Sequence, residues 1–173
     1  MGYTINIGSA EPEWPANLDE DVEPGWTVEG LAREDAPTFP GDEMTGNSSS
    51  RSPSYSTWAN FCRETGLYDL FFGARYDGST EPTRDVCLMR KHPGVAALRP
   101  ADLLEIRHAR IRWEAKPWPT TERIAGWDPT EGGWNDNSEP DPRYDGNLAR
   151  LLWLEWWVTY ALENLKRPAV GNR

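Results

Sequence analysis

Two cysteines, two histidines and three methionines are all that 173 residues hold of the side chains that most often bind metals or carry redox chemistry. Cys62 and Cys87 lack the paired spacing of a four-ligand zinc site, and His92 and His108 form neither an H-x-x-x-H nor an H-E-x-x-H pattern. With no secretory signal in Met1 to Ser9, the two cysteines read as reduced thiols and the address as cytoplasmic. Long apolar runs are missing as well. The longest, Leu151 to Val158, is broken by Glu155 and falls far short of the ~20 residues that span a bilayer.

The usual catalytic signatures are also absent. There is no G-x-S-x-G elbow and no G-x-G-x-x-G, and the hydroxyl-rich run Thr45 to Ser52 has no Gly-Lys-Ser/Thr, so it is not a Walker A loop. An EF-hand started at Asp141 would put Arg143 at a ligand position and Leu152 at the bidentate one, which excludes it. Glu155 and Glu163 stand about 12 Å apart along a helix, too far for a retaining carboxylate pair and rather far for an inverting one. No cofactor and no metal is expected.

Basic residues are scarce in the first quarter of the chain. Residues 1–46 hold 11 acidic side chains against Arg33 alone, whereas the remainder balances 17 acidic with 17 basic. The net charge of −10 is therefore a property of the N-terminal quarter. A long nucleic acid would meet that acidic segment and is excluded as a partner. Residues 84–116 are locally basic, with Arg84, Arg90, Lys91, Arg99, Arg107, Arg110, Arg112 and Lys116 against four carboxylates. They suit a small anion better than a polymer.

What the chain has in excess is tryptophan: ten, with six Tyr and four Phe, in a sequence only 38% hydrophobic. The expected core is aromatic. The length fits one domain, residues 1–173. Tyr3 to Ile7 alternates and reads as a strand ended by Gly8, and Trp26 to Glu29 as a second strand able to pair with it. Residues 36–53 are too polar to bury and read as either a disordered segment or a functional loop. A helix opens at Pro53 or Ser54, buries Tyr55, Trp58, Phe61 and Cys62 and closes at Gly66. Leu67 to Phe72 fits a strand or a short helical turn equally well, and Val86 to Met89 reads as a core strand. Pro100 opens a helix that stops before Pro117, and residues 116–146 form a long ordered loop pinned by Trp118, Trp127 and Trp134. Residues 147–166, free of Gly and Pro, make the clearest helix, apolar round most of its circumference except for Glu155, Thr159 and Glu163. The fold class is α+β: a small antiparallel sheet against about three helices, with a long buried C-terminal helix and extended ordered loops.

These patterns nominate a site. Asn47, Ser48 and Arg51 precede a helix start, where N–H groups, hydroxyls and a guanidinium suit a phosphate. Arg90 and Lys91 add charge, with Arg107 or Arg110 as further contributors, while Tyr55 and a loop tryptophan, Trp134, offer rings on which a flat ligand stacks. The competing reading is a polar linker whose serine caps the helix, beside charges paired on the surface. The C-terminal helix predicts a homo-oligomer, most simply a two-fold dimer, anchored by Trp153, Trp156, Trp157 and Tyr160.

The string from Pro40 to Tyr55, with Trp58, Phe61-Cys62 and Gly66 to Phe72, resembles uncharacterised proteins of tailed bacteriophages. So does Asp145 to Leu151 with Trp153-Leu154, Ala161 to Asn164 and Arg167 to Ala169. The resemblance covers about half the chain and carries no catalytic residues with it. It implies a phage product acting in the host cytoplasm, and by analogy a sponge for cyclic or ADP-ribose-type immune nucleotides that inhibits anti-phage defence. The alternatives are a protein that binds a host protein through its acidic N-terminal region, and a hydrolase with an unrecognised carboxylate site.

Overall fold

The computed structural model describes residues 1–11, 27–38, 47–77, 81–125 and 141–173. Five strands, β1 (Ile5–Glu11), β2 (Thr27–Val28), β3 (Ser50–Arg51), β4 (Gly94–Ala97) and β5 (Pro168–Asn172), form an antiparallel sheet in the order β2-β1-β5-β4, with β3 also on β1. Four helices, α1 (Tyr55–Thr65), α2 (Tyr68–Phe72), α3 (Pro100–Glu114) and α4 (Gly146–Asn164), complete an α+β fold.

Alternation along the strands assigns the two faces. Ile5 and Ile7 on β1, Val170 on β5 and Ala96 on β4 turn toward the helices and join the main core. Ala10, Ala169 and Val95 turn the other way and meet Val28 in a second, smaller core. Gly8 does not end the first strand, as the sequence suggests; it sits in the middle of β1 because the chain after β2 crosses the sheet there. A Cβ at Gly8 would stand 2.4 Å from the Glu29 carbonyl oxygen, and one at Gly171 would stand 2.9 Å from Val28 Cβ. These two bare positions let the β2 segment fold back over the sheet and curl it.

Other sequence readings change as well. Val86 to Met89 is a turn, and the strand in that region is β4, after the His92-Pro93 bond. Pro168 stops α4 as expected, but it also begins β5, a position where a strand tolerates proline because its N–H is not required. Leu67 to Phe72 resolves as helix α2, and Ser50–Arg51, inside the expected loop, forms β3.

The helices end where local chemistry dictates. Ser54 Oγ accepts from Thr57 N at 3.1 Å to cap α1, and Gly66, at φ 81°, closes it in the left-handed conformation. Asp102, fully buried in the first turn of α3, accepts from the Arg99 backbone N at 2.8 Å and from its guanidinium at 2.7 Å. Trp58, Trp153 and Trp157 fill the centre of the main core. The free cysteines Cys62 and Cys87 are both buried.

Asp145 joins α3 to α4. One carboxylate oxygen accepts from Leu148 N at 2.9 Å, capping α4. The other accepts from Trp113 Nε1 at 2.9 Å and from Arg123 Nε at 2.6 Å. Arg123 in turn donates to the carbonyls of Trp113, Glu114 and Lys116 at and just beyond the end of α3, the first of which also accepts from Lys116 N at 3.1 Å. With Asp145 only 1% exposed, removing it strands a guanidinium and an indole N–H.

Asp145→Ala should lower the urea-unfolding free energy by about 3–5 kcal/mol, and Asp145→Asn, which keeps a capping oxygen, by less. Burial pushes the Cys62 thiol well above its ordinary 9.0. Stability from that buried neutral thiol is present below pH 9.0 and is lost as the pH rises toward the folded value, because only the unfolded chain then releases the proton. Urea titrations at pH 8 and pH 10 should show a fall that Cys62→Ala reduces, and thiol reagents should label both cysteines only after unfolding.

Candidate functional site

A groove open to a ligand lies between α3 and α4. With about 100° of turn per residue, Leu152, Glu155, Trp156, Thr159, Tyr160 and Glu163 share one sector about 140° wide on the outward side of α4. Leu151, Leu154, Trp157 and Val158 occupy the inward side and are buried. Across the gap α3 contributes Arg107 and Arg110, one turn apart. The resulting groove has a volume of about 510 Å³, inside the roughly 300–1,000 Å³ of small-molecule sites.

Its floor is aromatic. The rings of Trp156 and Tyr160 lie parallel, with centroids 5.7 Å apart and planes 5° from each other, while Trp157 meets Trp156 edge-on from the core at 4.7 Å. Arg33 reaches in from the segment after β2, its guanidinium 4.8 Å from the centre of the Tyr160 ring. That cation holds the tyrosine in place through its π face.

Its charged wall is a clamp. Glu155 accepts from Arg107 Nε at 3.2 Å with one oxygen and from Arg110 Nε with the other. Arg110 also donates to Glu114 at 2.6 Å, and Arg107 to Thr159 Oγ1 at 3.5 Å. The hydrogen bond to Glu155 holds the Arg110 guanidinium more firmly protonated than usual. Each Glu155 oxygen thereby accepts from one guanidinium, so the carboxylate serves as the counter-ion of both. What is left over is specific. Among the described residues, Arg107 Nη1, Arg110 Nη2 and the Glu163 carboxylate have no polar partner.

The residues nominated from the sequence lie elsewhere. Asn47 gives its carbonyl to Arg33 N at 3.2 Å, and Ser48 Oγ accepts from Ser50 N at 3.0 Å while its carbonyl accepts from Trp153 Nε1 at 2.9 Å. Arg51 is 0% exposed, its guanidinium 4.9 Å from the Trp153 ring centre, so it is packed inside the fold and not presented to solvent. Arg90 and Lys91 are exposed on the turn before β4, and Arg90 donates to the Asp85 carbonyl at 3.3 Å. Trp134, with Trp127, lies outside the described residues.

Tyr55 belongs to a second cluster. Its hydroxyl stands 2.9 Å from His92 Nε2, and His92 Nδ1 is 2.9 Å from Asn172 Oδ1. Because Asn172 Nδ2 donates to the Gly94 carbonyl at 3.3 Å, its Oδ1 must be the acceptor toward His92. His92 thus donates from Nδ1, and in the neutral ring it accepts from Tyr55 on Nε2. Tyr3 packs edge-on against both rings, at 4.6 and 5.0 Å, and burial pushes its own phenol upward. This chain of contacts pins α1, the turn before β4 and the end of β5. Tyr55 is thus brought beside the 90–92 turn, while Asn47, Ser48 and Arg51 are spent on the packing of β1, β3 and α4.

Glu155→Gln should weaken the attachment of α3 to α4 by about 1–3 kcal/mol in urea unfolding, between an exposed ion pair and a buried one. Among the described residues no group of three or more His, Cys, Asp or Glu could hold a metal ion, and no helix is long and apolar enough to cross a membrane. Comparison of the chain with protein-family models, with curated proteins and with solved structures finds no match.

Proposed function

We propose that the protein is a non-enzymatic binding protein that sequesters a small, flat, anionic, nucleotide-derived ligand in the groove between α3 and α4. The observation that carries this reading is the parallel Trp156 and Tyr160 pair beside two arginines that each keep a terminal nitrogen without a polar partner among the described residues. Aromatic stacking on a base contributes about 1–3 kcal/mol, and guanidinium groups suit phosphate oxygens. Both elements of nucleotide binding therefore meet in one groove. In the phage setting implied by the sequence resemblance, the ligand is a host immune signal in the cytoplasm, of the cyclic or ADP-ribose type, and its removal from solution blunts the defence it would trigger.

A second reading is favoured by Leu104 and Ile111, 53% and 55% exposed on α3 beyond Arg107. They and the half-buried Trp156 and Tyr160, on either side of the arginines, are apolar groups that a second copy of the chain would cover. Trp153 and Trp157 are wholly buried within one chain, so only the half-buried Trp156 and Tyr160 of the expected dimer anchors face outward. The two occupants compete for one surface. A solution mass of 19.6 kDa by light scattering favours the ligand, and twice that mass favours the second copy.

The direct test is a thermal-shift screen with cyclic nucleotides and ADP-ribose derivatives. A ligand at about 100 times its dissociation constant adds ~2.7 kcal/mol and should raise the melting point by about 5–10 °C. Trp156→Ala should abolish the shift, whereas Glu155→Gln, which releases the two arginines from their counter-ion, should strengthen binding of the same anion. A flat response across the panel, or a shift indifferent to both substitutions, rejects the groove as the site.

A further inference from the structure

The groove is not symmetrical end to end, and its polarity selects among nucleotides. One end holds, at the level of Glu155, the nitrogens of Arg107 and Arg110 that have no polar partner among the described residues. Two turns further along α4 stands Glu163, an exposed carboxylate with no partner among the described residues. The separation is about 12 Å along the helix axis, with Trp156 and Tyr160 between the two ends. A single nucleotide laid on the aromatic pair, phosphate toward the arginines, turns the outer edge of its base toward Glu163.

On the proposed nucleotide-binding reading, we infer that the groove selects guanine, presented as a phosphodiester carrying a single negative charge. A carboxylate offers two adjacent acceptors and no donor. Guanine is the common base whose outer edge presents two adjacent donors, N1–H and the N2 amine, so it meets Glu163 with two charge-assisted hydrogen bonds. Adenine turns an N1 lone pair toward the same oxygens, and the resulting repulsion excludes it as much as the lost bond does. The charge requirement has its own cause. Arg107 and Arg110 are balanced by Glu155 and Glu163, so the lining has no surplus positive charge. A terminal phosphate carrying about −1.5 to −2 at neutral pH is repelled by Glu155 more than a singly charged diester is.

Isothermal titration of the full chain with 3′,5′-cyclic guanosine monophosphate and with its adenosine counterpart tests this. The guanine nucleotide should bind at least about fivefold more tightly, the lower end expected of a good bidentate contact. Glu163→Gln replaces one acceptor by a donor at an exposed helix position, and it should bring the two affinities together without changing the melting point of the free protein. Equal affinity for both nucleotides, a preference for adenine, or a guanine preference that survives Glu163→Gln overturns the inference while leaving the nucleotide groove in place. Failure of both nucleotides to bind, with no response anywhere in the wider panel, overturns the groove and the inference together.

Discussion

The pairing of β1 with β5 is the constraint on which the rest of the structure depends. It joins residues 5–9 to residues 168–172, so the two ends of the chain lie side by side at the centre of the sheet. Because β5 begins four residues after α4, the same pairing fixes where α4 leaves the sheet. Val170 faces Ile7 on one side and Ala96 on the other, all three turned toward the helices, so a one-residue slip would exchange the apolar face of β5 for Ala169 and Gly171. Gly171 resists that slip, since Val28 leaves no room for a side chain there.

Once α4 is placed, α3 is held to it at two levels. At the lower level Asp145 caps α4 and draws in Arg123, which closes the end of α3. One buried carboxylate therefore satisfies helix-end groups of both helices, in accord with the need to pair every buried donor and acceptor. At the upper level Glu155 receives Arg107 and Arg110. Arg84 secures the far side of α3 through Glu105 and ties it to Asp69 of α2. Ion pairs of this kind contribute little each at the surface, but between packed helices they fix orientation.

What was legible in the sequence was what depends on neighbours along the chain. The C-terminal helix, the cap at Ser54, the glycine stop at Gly66 and Pro100 at a helix start all follow from local rules, and all appear. β5 was not legible, because Ala169 and Gly171 have weak strand preference and acquire their conformation from β1 and β4 on either side. Gly8 looks like a terminator because nothing along the chain reveals that another segment crosses it. The groove was hidden for the same reason. Arg107, Arg110 and the polar stripe on the last helix were each visible as separate features, but their meeting depends on two helices packing side by side. Arg51 shows the converse: its polar neighbourhood suggested a phosphate, yet the pairing of β3 with β1 carries it under Trp153.

The groove exists because the clamp sets how far α3 can close on α4. A helix as apolar as α4 gains most by burying its whole circumference, at roughly 25 cal/mol for each Å² of apolar surface. The sheet and α3 cover the sector of Leu151, Trp157 and Val158, but Trp156 and Tyr160 stay half-exposed. If α3 rolled over them, the two guanidinium groups and the Glu155 carboxylate would enter an apolar interface, and burying charges there costs several kcal/mol per ion. That penalty competes with the gain from covering two rings, so α3 stops with its arginines at the rim. The result is an aromatic floor kept open by a charged wall, and the same balance that leaves Trp156 uncovered by its own chain makes it available to an occupant able to satisfy both the rings and the remaining guanidinium nitrogens.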